Sequence, residues 1–204
     1  FYQDNKAPVL SEIETTPLQY KEGDAPKTIT GRIKVTDPDD ANLTSAVVAI
    51  SGNYQSGADI LAFTNNNGIT GTWDDVTGIL TLSGTSSLAN YQTALRSIRY
   101  FNSSDNPSAL TRTVSFTVND GDLNSITLTR SIIVTAVNDI PVLYCIETVP
   151  LQYKENDEAA VITGSLMITD PDDVNIESAV VRISDNYKIG QDILAFSDRN
   201  GIKG

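Results

Sequence analysis

The chain contains no histidine and a single cysteine, Cys145. Without histidine, the usual zinc sites and Ser-His-Asp catalysis drop out, and one cysteine cannot form an intrachain disulfide. Cys145 sits among Val142, Leu143 and Ile146, where an earlier copy of the same stretch carries Glu12, and it reads as a variable strand residue rather than a reactive thiol. Basic residues are scarce: 14 against 26 acidic ones, a formal net charge of −12. Such a surface repels nucleic-acid backbones and anionic membrane faces. Cations are the favoured small partners, although the same charge would also serve to keep a secreted protein soluble. No run of 18 apolar residues occurs, so direct membrane insertion of a helix is not expected. The opening FYQDNKAPVL lacks a basic-then-apolar leader, and the chain reads as a segment of something longer.

What is present is a repeat. Offsetting the 204-residue chain against itself by 133 positions lays residues 7–71 on residues 140–204, with 40 of the 65 pairs identical. A fixed spacing of this kind marks a tandem array. The organisation expected is residues 1–6 as the end of a preceding linker, 7–138 as one complete repeat, and 139–204 as the amino-terminal half of a second, truncated one. Such a half cannot close its own core. It is expected to be disordered, proteolysed, or completed by strands from a longer chain or a neighbour.

Val, Ile, Thr and Tyr occur in short runs between Gly, Pro, Asn and Asp clusters, which predicts an all-β sandwich. Strands are expected near 8–14, 18–22, 27–36, 45–51, 59–63, 69–73, 78–83, 97–102, 111–119 and 125–136. In TRTVSFTVNDGD the alternation of Val114, Phe116 and Val118 gives one buried and one wet face. The stretch SSLANYQTALRSI breaks the pattern. Leu88, Tyr91, Ala94, Leu95 and Ile98 fall at helical spacing behind a capping Ser87, so a short core-covering helix is expected over 88–96.

The stretch VTDPDDANLTSAVV at 35–48 returns as ITDPDDVNIESAVV at 168–181. In extended chain Asp37 and Asp39 point the same way, with Pro38 fixing the turn between them. Two carboxylates on one side repel unless neutralised, and hard cations such as calcium take six to eight oxygen ligands. Asp40 and Asn42 are further candidates. Asp-rich turns also arise because Asp bonds its own backbone, so the motif alone does not decide. Further acidic elements support metal: NDGD at 119–122, the Glu after the tyrosine in QYKEGD and QYKEND (Glu22, Glu155), and the linker VNDIP at 137–141.

In this order an early Glu, a DPD turn, a late DG turn and an Asn-Asp linker before Pro resemble the calcium ligands of cadherin repeats. The wording GRIKVTDPDD, DVTGILTLSG, RTVSFTVNDGD and VTAVNDIPVL resembles bacterial cadherin-like and VCBS-type repeats of large surface adhesins over nearly all of residues 7–204. The resemblance implies immunoglobulin-like Greek-key sandwiches with Ca2+ at each junction; the one short helix expected per repeat from the spacing of Leu88 to Ile98 departs from the cadherin pattern. Its ligands would be Glu22, Asn138, Asp139, Asp170 and Asp172 between the repeats, and Asp37, Asp39 and Asp120, helped by Asp4 or Asn5, at the start of the first. Ala136 and Ile140 depart from the cadherin linker, and Lys6 stands where the second copy has Asp139. One or two ions per junction are therefore expected.

The function implied is a secreted or cell-surface, calcium-rigidified spacer or adhesive stalk. Its partners would be neighbouring repeats of the same chain and a surface polysaccharide or another cell-surface protein. An alternative reading is a carbohydrate-binding module using Trp73, Tyr54 and Tyr91. Against it, TWDDVTGIL reads as a hairpin turn with a core-edge tryptophan. Catalysis by an Asp pair is not expected, because these residues fall at the turns of a repeating unit.

Overall fold

A computed structural model describes residues 4–204, so part of the linker expected over 1–6 lies outside the described residues. The chain divides into two compact units, Phe1–Asn138 and Asp139–Gly204.

The first unit is an all-β sandwich with one helix. Its strands are β1 (Val9–Ser11), β2 (Leu18–Lys21), β3 (Lys27–Thr28), β4 (Lys34–Thr36), β5 (Asn42–Gly52) and β6 (Asp59–Ala62). They continue as β7 (Thr70–Asp74), β8 (Ile79–Ser87), β9 (Arg99–Asn102), β10 (Arg112–Asn119) and β11 (Leu128–Thr135), with helix α1 (Leu88–Ser97) between β8 and β9. A six-stranded sheet has the order β2-β11-β10-β5-β8-β7, a three-stranded sheet the order β3-β9-β6, and β1 pairs with β4.

The centre of the large sheet follows from period-2 patterning. Along β10 buried and half-buried residues alternate without a break, and the register sets Val114, Phe116 and Val118 beside Ile50, Val48 and Ala46 of β5. These inward rows meet Leu10, Tyr20, Leu61, Leu80, Leu82 and Tyr100 in one buried cluster. Each such side chain contributes roughly 1.5–3 kcal/mol by leaving water.

Helix α1 closes the core as the sequence pattern predicts. The Ser87 hydroxyl accepts from the Asn90 amide at 3.2 Å, and Tyr91, Ala94 and Leu95 are buried. It ends where Ile98 returns to extended backbone. Arg96 in its last turn donates to the carbonyls of Ile33 and Arg32 at 2.9 and 3.0 Å, pinning the helix over the segment that leads into β4.

Several expected strands are shorter than the sequence pattern suggests, 97–102 and 125–136 by two to four residues, and two of them, 8–14 and 27–36, are cut by identifiable contacts. The 8–14 segment stops at Ser11 because Glu12 turns to φ 60°. The 27–36 segment splits in two because the Glu14 carboxylate accepts from the Thr30 hydroxyl at 2.6 Å and the Gly31 amide at 3.0 Å, pulling the backbone out of the sheet.

In the second unit β12 (Val142–Tyr144) pairs with β13 (Met167–Thr169), in the register of β1 with β4. Many loop bonds of the first unit recur. Thr163 and Gly164 donate to Glu147 as Thr30 and Gly31 do to Glu14. Cys145 is exposed and sits past β12 at φ 60°, the conformation of Glu12. It is therefore a turn residue and not the strand residue the sequence suggested.

Candidate metal centre

The acidic turns lie at one end of the first unit. β10 runs towards Asn119 and delivers Asp120 there, while β5 starts from the same end at Asn42, just after Asp37–Asp40. The chain around Pro38 is not extended. The Asp37 Oδ1 atom accepts from the amides of Asp39 and Asp40 at 3.0 and 2.9 Å, a turn in which an aspartate caps its own following backbone. This corrects the expected pairing of Asp37 with Asp39. The turn brings residue i+3 round instead, so that Asp37, Asp40 and Asp120, all half-buried, have carboxylate oxygens within 4.8 Å of one another.

Asp39 faces the incoming chain, where both its carboxylate oxygens accept from the Lys6 amide at 3.3 and 3.1 Å. Asn5 donates to Asp120 Oδ2 at 3.1 Å. The other Asp120 oxygen accepts from the amides of Asp122 and Leu123, both at 2.7 Å. Asp122, the second carboxylate of NDGD, stays exposed, as do Asp4 and Asn42.

The electrostatics of the group are unbalanced. Partial burial, followed by the charges of Asp37, Asp120, Asp39 and Asp122, pushes the Asp40 carboxyl above its usual value. For Asp120 burial acts upward, but the Leu123 and Asp122 amides and Asn5 outweigh it and hold the carboxyl low. The Asp37 Oδ2 atom is buried and accepts no hydrogen bond among the described residues. A buried carboxylate oxygen without a donor is costly, and a cation among these three carboxylates would relieve it. The donor set, all hard oxygen, suits calcium or magnesium rather than a soft metal.

Glu22 lies at the opposite end of the same sheet. β10 and β11 are antiparallel with Arg112 beside Ile132, and Thr135 stands beyond that pair next to Lys21. There the Glu22 carboxylate accepts from the Val137 amide at 2.7 Å, and Asn138 ends the unit, exposed. In the second unit Asp170 caps its turn through the amides of Asp172 and Asp173, both at 3.0 Å, and the Asp172 carboxylate accepts from the Asp139 amide. This is the local arrangement of Asp37, Asp39 and Lys6.

One buried polar group escaped the sequence reading. Asp59 and Arg112 form a fully buried ion pair, Nε to Oδ2 at 3.0 Å. Tyr100 and Asn102 donate to Asp59 Oδ1 at 2.6 and 2.7 Å. The signal was present in the alternation, since Arg112 stands two residues before Val114 and Asp59 two before Leu61, both at inward positions. Trp73 meets Tyr54 edge-on at 6.1 Å and packs, partly buried, on the core. Asp74 caps the hairpin turn through the Val76 amide at 2.9 Å.

Comparison with known proteins finds a match in halomucin of Haloquadratum walsbyi, with 37% identity over 113 residues. The match takes in 52% of this chain but 1% of that protein, so the chain spans a very small part of the relative's length. No family model and no solved structure matches the chain. Among the described residues no helix is long and apolar enough to cross a membrane.

Proposed function

We propose that the chain is a calcium-binding module of a large extracellular surface protein, one unit of a stalk of cadherin-like sandwiches stiffened by metal. The observation that carries this reading is the buried Asp37 Oδ2, left without a donor among the described residues inside a group of three carboxylates. Asp37, Asp40 and Asp120 would hold the ion, with Asp39 and Asn5 beside them. Bound calcium supplies the positive charge that lets these turns stay together. The residues themselves set the geometry: Asp37 and Asp120 each use one oxygen to cap a turn, which fixes the direction of the other.

The 133-residue repeat and the likeness to a small stretch of a very long relative support a unit multiplied along a surface protein. The role is structural and adhesive, with neighbouring repeats as first partners, and no catalytic step is assigned.

Thermal unfolding of the chain with calcium and with chelator tests the proposal. At 100-fold saturation, binding to the folded form stabilises it by about 2.7 kcal/mol, which raises the midpoint of the first unit by several degrees. Magnesium substitutes poorly. Asp37→Asn removes most of the calcium response, whereas Asp74→Asn leaves it intact. Coincident curves with metal and chelator would reject calcium binding.

A further inference from the structure

The asparagine-rich tip at residues 65–68 belongs to neither the metal centre nor the core of the first unit. β6 lies in the three-stranded sheet and β7 in the six-stranded one, so the chain between them crosses from one sheet to the other. An isolated bridge holds the crossing: the Asn66 amide donates to the Ile69 carbonyl at 3.1 Å, and the Ile69 amide to the Asn66 carbonyl at 2.7 Å. Asn67 and Gly68 fill the two central positions at φ 50° and 77°, a turn that the Asn-Gly pair suits because both residues tolerate positive φ. The same turn recurs at Asn200 and Gly201, with φ 53° and 83°, inside the bridge of Arg199 with Ile202.

The groups at this tip are free to react. Asn67 and Gly68 are exposed. Among the described residues neither the Asn67 side-chain amide nor the Gly68 backbone N–H makes a hydrogen bond, and a Cβ added at Gly68 would meet nothing within 4 Å. Neighbouring asparagines are tied down. The Asn65 side-chain oxygen accepts from the Gly71 amide at 2.9 Å, the Asn66 side chain donates to the Thr64 carbonyl at 3.0 Å, and Asn53, also at positive φ, donates to the Thr111 carbonyl at 2.8 Å. Each of these three precedes a residue with a side chain, respectively Asn66, Asn67 and Tyr54, which crowds the backbone nitrogen that follows. Only Asn67 of the four precedes a glycine.

We propose that Asn67 is a site of spontaneous covalent modification, in which its side-chain amide is lost to the backbone nitrogen of Gly68. The Gly68 nitrogen bonds to the Asn67 Cγ atom, the Cγ–Nδ2 bond breaks, and the amide nitrogen leaves as ammonia with the proton given up by the Gly68 N–H. Water then opens the cyclic imide. Attack at Cγ leaves aspartate, whereas attack at the backbone carbonyl carbon leaves isoaspartate, whose chain runs through Cγ. Ring closure needs the backbone at Asn67 to leave the turn, and a tip held by one isolated bridge opens without the sheets on either side. Either product gives the turn a negative charge. In isoaspartate that charge includes the former Asn67 carbonyl oxygen, to which the Ser86 hydroxyl donates at 2.9 Å. Ser86 directly precedes the cap of α1 and accepts from the Asn90 side chain at 2.9 Å. The first turn of α1 has no acidic residue of its own, so a carboxylate beside it is favoured by the helix dipole. The inference stands independently of calcium.

The test incubates the full chain in mildly alkaline buffer made with heavy-oxygen water and follows each asparagine by peptide mapping, with a protein isoaspartyl methyltransferase to count isoaspartate. Label and isoaspartate are expected at residue 67 at least about ten-fold faster than at Asn53, Asn65 or Asn66, a full decade in rate. Gly68→Ala slows the reaction at Asn67 by about ten-fold or more, because a side chain now crowds the attacking nitrogen. A second variant guards against strain at φ 77° unsettling that turn. Arg112→Ala weakens the whole first unit without touching the tip, and the rate at Asn67 is expected to stay within about two-fold of the parent chain, since the tip opens locally. Three results would each overturn the proposal: residue 67 reacting no faster than Asn65 and Asn66, an unchanged rate in folded Gly68→Ala, or a rate in Arg112→Ala that climbs in step with the loss of stability, which would assign the reaction to the unfolded chain.

Discussion

Replacing Arg112 by Ala isolates the energetics of the buried pair in the first unit. Both side chains are fully buried, so the substitution strands the Asp59 carboxylate inside the core. Removing one partner of a buried pair costs about 3–5 kcal/mol. Three donors remain on Asp59, namely Tyr100, Asn102 and the Gln55 amide, which places the expected loss near the lower limit, about 3 kcal/mol. The guanidinium's bonds to the Ser108 and Leu110 carbonyls are lost as well. In a unit of this size about 3 kcal/mol lowers the unfolding midpoint by roughly 10 °C. Differential scanning calorimetry of the full chain, following the transition of the first unit, reads it directly. Arg112→Lys recovers less than half, since an ammonium cannot reproduce the guanidinium fork. The decisive comparison adds Asp59→Asn to Arg112→Ala. If the stranded charge is the cause, the double variant unfolds at a higher temperature than the single one. A double variant less stable than Arg112→Ala alone, or a single-variant loss below about 1 kcal/mol, would refute the reasoning.

Other perturbations have equally definite signs. At Gly84, with φ 128°, an added Cβ would stand 2.2 Å from the Gly68 carbonyl oxygen, a backbone atom that cannot step aside. Gly84→Ala is therefore expected to cost more than about 1 kcal/mol in denaturant unfolding, and a neutral result would show that β8 can shift. Ser87→Ala removes the cap of α1 and is expected to cost about 1 kcal/mol, measured by the same unfolding curves. The Thr163 hydroxyl and the Gly164 amide hold the Glu147 carboxyl down to about 2. Because the folded value is depressed, its contribution to the turn is complete above pH about 4.5 and is lost as pH falls towards 2. An NMR titration of Glu147 finding an ordinary carboxylate value would contradict the turn geometry.

Much of the architecture was legible because sandwich strands declare themselves by alternation and α1 by its 3.6-residue stripe. The cap at Ser87, the hairpin at Asp74 and the inward row of β10 all follow from spacing alone. Misreadings came where a side chain bonds the backbone. Asp37 and Asp39 were placed together by extended-chain geometry, whereas the Asp37 carboxylate winds the chain into a turn and selects Asp40. Glu14 similarly divides what looked like one strand into β3 and β4. Cys145 was judged by its apolar neighbours, yet its position demands the positive φ that Glu12 also adopts. The Asp59–Arg112 pair was missed because charged residues count as outward-facing in a hydropathy pattern, even when the period points them inward.

The parallel pairing of β2 with β11 has a mechanical consequence. Asn5 and Asn138 leave the first unit at opposite ends of its large sheet, so tension applied through the chain runs along the strands. Leu18–Lys21 and Ile132–Thr135 lie side by side in the same direction. Their hydrogen bonds are then loaded in shear and must fail together instead of unzipping one by one, which makes this edge the seam that sets how much pull the unit withstands.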